Sequence, residues 1–292
     1  FGAETESGDP VPMTLKIGGV RQVIYLRFMP SFVESLRHFG LRAADQRIRD
    51  RVFQVARRDY QGVNVDFRDT VPQDFALYEQ VEVSGPDPNG LGMLGYDNTP
   101  GKDKENMRLY DKIGGVNATT QEDGYPGYGG VFVESFFGFS TDPGVFAKKL
   151  DGADPLFDAV FDPFRTDRGG SPVTAEELGA GIPELTSGDA CPSTERPTQI
   201  ACAVWALGSM IGTTLTHEIG HSLGLADPYG ADFHNPGDVP GRLMDSGGAR
   251  DLPERVEIGG KHGAFCDSEF DYLRQILPTE QDAPSVSRPS CF

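Results

Sequence analysis

The stretch Thr216–Asp227 reads Thr-His-Glu-Ile-Gly-His-Ser-Leu-Gly-Leu-Ala-Asp, and it constrains the fold more than any other part of the chain. His217 and His221 are four apart, so on a helix they stand one turn apart on one face. Two imidazoles placed there can bind one metal ion from the same side. Glu218 projects beside that ion, where it can hold a water molecule. The helix must then end. Gly224 follows His221 by three residues, where a left-handed residue can close a helix and turn the chain back. Asp227 can then supply a third ligand from the returning chain.

His217, Glu218, His221, Gly224 and Asp227 together resemble the extended zinc signature of the metzincin metallopeptidases. Asp in the third-ligand position is similar to the small bacterial snapalysin-like members. Leu243-Met244-Asp245-Ser246-Gly247-Gly248 resembles the methionine turn of the same clan, with Met244 seventeen residues after Asp227. Ser246 stands where several metzincins carry a tyrosine, so no tyrosine role is carried over. The resemblance is specific over roughly Thr214 to Gly248 and only topological before that.

The resemblance implies an α+β, metzincin-like two-lobed catalytic domain: a twisted mixed sheet with helices above, and a loop-rich lower lobe with a C-terminal helix. It implies a secreted zinc endopeptidase, with His217, His221 and Asp227 as zinc ligands, Glu218 as general base and Met244 as a structural residue under the ligands. The substrate would be a protein or peptide. It would lie extended along an edge strand, for which Gly130, Val131, Phe132 and Val133 are the expected residues, with Gly129 and Gly130 admitting a second backbone. Met244 to Arg250 would wall the pocket beyond the scissile bond. His234 and His262 read as surface histidines, with His234 the reserve third ligand. Two other readings remain open. One is an aspzincin-type zinc peptidase, because Asp227 precedes Tyr229-Gly230. The other is a catalytically silent binding protein of the metzincin fold, although neither the Glu nor a ligand is lost.

Charge excludes one class of partner. The net charge of −18 and pI near 4.6 would repel a phosphate backbone, so nucleic acid is not expected, and cationic substrates are weakly favoured. No purely apolar run reaches the roughly 18 residues of a membrane span, so no transmembrane segment is expected. The sequence begins at Phe1 without a signal peptide and reads as a processed or trimmed chain, expected to be a monomer. Cys191, Cys202, Cys266 and Cys291 lack the spacing of a zinc or redox site. An even count in such a chain suggests two disulfides and an oxidising, extracellular compartment. Of three pairings, the expected one joins nearest neighbours, Cys191 with Cys202 and Cys266 with Cys291, each worth on the order of 3 kcal/mol.

A single domain spanning 1–292 is expected, divided into an upper lobe at 1–223, carrying an insertion at about 141–200, and a lower lobe at 224–292. Residues 1–20 are polar and read as a surface arm. Gln22 to Phe28 suits a buried strand, and Val63 to Phe67 and Leu77 to Val83 alternate as strands do. Ala43 to Tyr60 reads as an amphipathic helix with a solvated basic face that includes Arg47, Arg51, Arg57 and Arg58. Gly129 to Phe137 reads as a strand. Within the insertion, short helices are expected from Asp142-Pro143 to Leu150 and from Pro172. Ala203 to Leu223 is expected to be the metal-bearing helix, and Glu269 to Leu277 the last helix. Asp87, Asp97 and Asp103 are the carboxylates considered for a structural calcium ion. They lack a calcium-loop spacing and read as solvated. Asn117-Ala118-Thr119 is a glycosylation sequon.

Overall fold

The computed structural model describes residues 20–98, 110–116, 127–225, 234, 235, 237, 239–246, 250–281 and 287–291. Among these the chain is α+β, built on a mixed seven-stranded sheet. The strands are β1 (Gln22–Phe28), β2 (Val65–Arg68), β3 (Glu79–Ser84), β4 (Gly95–Tyr96), β5 (Asp111–Ile113), β6 (Gly115–Val116) and β7 (Tyr128–Phe132). The order β2-β1-β3-β7-β4 places β4 at the end of the sheet path. One edge of β3 is shared: Glu79–Val81 pairs with β5, and Val83–Ser84 pairs with β7, both in parallel. β4 and β6 run antiparallel to β7.

This order corrects the edge-strand expectation. Val131 is paired with Val83 on one side and Gly95 on the other, so β7 is interior. A β-carbon on Gly130 would meet the Glu82 carbonyl oxygen, so the backbone that approaches Gly130 is that of β3. The strand is also shorter than expected. After Phe132 the chain enters 3-10 turns over Val133–Phe139. Val133, Phe136, Phe137 and Phe139 are all buried there, which a two-residue alternation cannot achieve.

Helices cover the sheet. α1 (Pro30–His38), missed from sequence, opens with Pro in its first turn and buries Phe32 and Leu36, four apart. α2 (Asp45–Asp59) packs on α5 (Arg196–Ser222), which also touches β4, β5 and β7. α5 is the one described helix long and apolar enough to cross a membrane, and 94 % of its most apolar window is buried inside the protein. Each fully buried Leu, Ile or Val on it contributes roughly 1.5–3 kcal/mol. The helix begins at Arg196, earlier than the sequence suggested. Its mate α2 is not simply basic outside. Arg51 is buried and stacks on Trp205 at 3.4 Å, and its guanidinium pairs with Glu257. Arg58 binds Glu257 and Asp59, and Asp59 accepts a hydrogen bond from Thr216 on α5.

Between β7 and α5 the segment is mostly irregular. No helix forms from Asp142 to Leu150: Gly144 has a positive φ of 66°, and the Asp142 carboxylate is drawn to Arg168. α3 (Pro155–Phe161) and α4 (Ala175–Ala180) are short, the second held by a capping box of Thr174 and Glu177. The disulfides are Cys191–Cys202, which ties this segment to α5, and Cys266–Cys291. Beyond α5 lie α6 (Leu252–Arg255) and α7 (Asp267–Ile276), with Cys266 at the N-cap of α7.

Candidate metal centre

The end of α5 is built by its backbone. Gly224 has a φ of 94°, and its N–H donates to the His221 carbonyl while the Leu225 N–H donates to the Gly220 carbonyl. This is the paired closure of a Schellman motif, which only a left-handed residue allows at little strain. The closure also brings the Leu225 carbonyl to His221, whose Nδ1 donates to it at 2.8 Å. His217 Nδ1 likewise meets the Leu243 carbonyl at 2.8 Å. With both Nδ1 atoms donating, each neutral ring presents an acceptor at Nε2. Those two Nε2 atoms face one another at 3.1 Å. Two lone pairs at that distance repel unless a cation lies between them. Burial, with His234 alongside, pushes His217 down to about 3, so it is neutral and ready to ligate at physiological pH.

Met244 packs against the same turn. A β-carbon on Gly220 would fall 2.6 Å from Met244 Sδ, so the helix and the buried Met244 touch through the gap that glycine leaves. The segment Leu243–Met244 therefore fixes His217 by a carbonyl and supports the helix by a thioether.

His234, expected at the surface or as a reserve third ligand, is half-buried and lies beside His217 and His221. His217, His221 and His234 offer ring nitrogens that all lie within 4.8 Å of one another, so together they can hold a metal ion. The His234 ring stacks on His217 and stands edge-on to His221, at 5.3 Å from each. Its neighbour Asn235 anchors it: the Asn235 N–H donates to the Met244 carbonyl, and Asn235 Nδ2 donates to Glu269 Oε1 at 2.7 Å. Glu269 in turn caps α7 by accepting from the Cys266 N–H. Burial raises Glu269 to about 7, against the pull of those two hydrogen bonds. Asp227 lies outside the described residues, as do Tyr229, Gly230, Asp103, Gly247, Gly248 and Asn117 to Thr119.

Glu218 is 6 % exposed and lines a cavity of about 450 Å³ together with His217 and His234. The lining includes Gly92 to Gly95, which lead into β4, and their backbone passes so close that a β-carbon on Gly95 would fall 2.4 Å from Glu218 Oε1. Asp87 shapes the loop leading there by accepting from the Leu91 and Met93 N–H groups. Phe139, Leu150, Gly152, Asp245, Arg250 and Arg255 also line the cavity. Sequence reasoning placed Asp245 and Arg250 near the pocket. It missed Arg255 and the β4 edge.

Among the described residues no ligand set for the expected calcium ion is found, and Asp103 lies outside them. Asp97 is buried, not solvated, and lies near Glu79 and Asp111, whose charges together with burial hold Glu79 well above the usual carboxylate range. Among the described residues, the only groups with metal-ligand spacing are the three histidines and Cys266–Asp267–Cys291, whose cysteines form a disulfide. Comparison with protein families, with curated proteins and with solved structures returns no match.

Proposed function

We propose that this chain is a zinc-dependent endopeptidase acting outside the cell. The observation that carries the reading is the convergence of three imidazoles with a buried carboxylate, Glu218, on one cavity. Three neutral nitrogen donors suit zinc and leave a fourth position open, as catalytic zinc sites do. When bound, zinc supplies Lewis acidity, which activates water and polarises a carbonyl. The two disulfides accord with an oxidising compartment.

The chain's own residues perform the rest. Glu218 accepts the proton of the attacking water and later delivers it to the departing amine nitrogen. The Leu243 and Leu225 carbonyls hold His217 and His221 in the tautomer that keeps Nε2 available. An extended peptide lies along β4, where main-chain groups offer pairing without a demand for particular side chains. The β4 backbone runs against Glu218, so a peptide paired there presents its carbonyl beside the base.

His234 takes the third ligand position in this reading. The spacing is then His217-x3-His221-x12-His234. In this reading the resemblance to metzincins is carried by the helix, the Gly224 turn and Met244; Asp227, the expected third ligand, lies outside the described residues. The test is the substitution Glu218→Gln, which keeps size and polarity but removes proton acceptance. Zinc content should be unchanged and peptide-library hydrolysis should fall by about 10² or more. Near-normal turnover in the zinc-loaded variant would sink the mechanism.

A further inference from the structure

The chain that leads into β4 is fixed by two side chains that the hydrolytic step does not use. Asp87 Oδ1 accepts the Asn89 N–H at 2.8 Å and Asn89 Nδ2 at 2.9 Å. Its Oδ2 accepts the Leu91 N–H at 3.0 Å and the Met93 N–H at 3.1 Å. A carboxylate has about four lone-pair sites, and here four donors meet them. Hydrogen bonds to an ionised acceptor are roughly twice as strong as neutral ones. Asp87, first considered for calcium, therefore gathers N–H groups of its own loop.

Asn89 ties that loop to the sheet. Its Nδ2 donates to the Tyr128 carbonyl at 2.9 Å, and its Oδ1 accepts the Tyr128 N–H at 2.8 Å. A paired strand residue makes the same two-way exchange, so this amide stands in for backbone at the start of β7. Farther along β7, the Phe132 N–H donates to the Leu94 carbonyl, and Gly95 is the register partner of Val131. Residues 91–94 are thus pinned to β7 from both sides. Burial adds little, because Leu91 is 75 % exposed and Met93 is only half-buried. Yet Gly92, Met93, Leu94 and Gly95 line the cavity, and Gly95 packs against Glu218. Main-chain groups alternate from side to side along a strand. With the Leu94 carbonyl turned toward β7, the Gly95 N–H and C=O turn away from it.

We propose that Asp87 and Asn89 are positioning residues for substrate. Both stand outside the three-histidine group, and they act through the backbone of residues 91–95, the shelf along which an extended peptide lies. The inference rests on the peptidase reading above and assigns it two residues remote from the metal centre. Main-chain pairing holds the peptide in the ground state and in the transition state alike, so loosening the shelf raises KM and leaves kcat in place. A merely structural role would act the other way. It would lower the melting temperature and the fraction of active protein, so kcat per total protein would fall at constant KM.

Asp87→Asn is nearly isosteric and puts an amide NH2 where one acceptor oxygen stood, facing N–H donors. On a blocked hexapeptide amide its KM should rise about tenfold, with kcat within about twofold of the parent. Zinc affinity should be unchanged. Asn89→Ala keeps the Asp87 turn but releases Tyr128, and its KM should rise at least about threefold. Calorimetry separates this proposal from the reading it rests on. The same peptide is titrated into zinc-loaded Glu218→Gln protein with and without Asp87→Asn, and Kd should rise by the factor seen in KM. If the wild-type chain hydrolyses no peptide but this Kd shift appears, the peptidase reading fails and the positioning role stands. If Asp87→Asn does not fold, Asn89→Ala decides, and failure of both to fold would make the pair a folding element and overturn the proposal. Unchanged KM and Kd in folded variants, a fall in kcat alone, a loss of zinc, or no peptide binding by the Glu218→Gln protein would each overturn it as well.

Discussion

His217 and His221 stand on a buried helix whose backbone closure also sets their tautomers, whereas His234 stands on a returning segment held by the side chains of its neighbours. The first pair is fixed by hydrogen bonds to the Leu243 and Leu225 carbonyls, and these follow from the helix and its Gly224 turn. The position of His234 depends on Asn235, on Glu269 and on the Met244 carbonyl. Two of the three candidate ligands are therefore preorganised by α5, and the third depends on a small polar network at the start of α7.

That difference can be tested in order of size. Replacing His217 or His221 by Ala should abolish zinc binding, a loss beyond the ten- to hundred-fold typical of groups that only support ligands. His234→Ala should weaken zinc strongly while leaving the fold intact. Asp227→Ala should leave zinc affinity nearly unchanged. Competition against a chromogenic chelator measures all of these. If Asp227→Ala loses zinc and His234→Ala keeps it, the metzincin-like spacing is restored and the three-histidine reading is wrong.

Asn235→Ala comes next. It removes the anchor but no ligand, so zinc affinity should fall by about ten- to hundred-fold. An unchanged affinity would show that His234 is held by something other than this network.

The smallest effect concerns pH. The folded protein holds the Glu269 proton up to about 7, while an unfolded chain releases it near 4.5. Between those values the native state binds the extra proton, so stability falls as pH rises through the window and levels off above it. Glu269→Gln cannot titrate, and its melting temperature should lack this decline. Parallel melting curves for the parent and the variant from pH 4.5 to 7 would remove Glu269 from the account.

Much of this was legible in the sequence where local rules suffice. The four-residue spacing of His217 and His221, the helix-ending Gly224, the strand Gln22–Phe28 and both disulfide pairings follow from short-range patterns. His234 was legible only as a reserve third ligand, because nothing in its own sequence neighbourhood encodes its approach to His217 and His221. β4 was hidden because it has only two residues, Gly95 and Tyr96, inside a stretch rich in Gly, Pro and Asp. Its role as the cleft edge comes from pairing with a strand far along the chain. Arg51 was misread because helix periodicity counts charge as surface, and here Glu257 and Trp205 draw it inward. α1 carries a local signal, Pro30 in the first turn with Phe32 and Leu36 four apart on its buried face.

The burial of α5 also governs what happens when the protein is heated. Unfolding releases a largely apolar segment of 27 residues, otherwise kept from water by the protein itself. Exposed apolar segments of that kind associate readily, so the heated chain should aggregate before it refolds. Inactivation is then set by the rate at which α5 is first exposed. Half-life at a fixed temperature becomes the meaningful measure of robustness, and apparent midpoints will drift with heating rate.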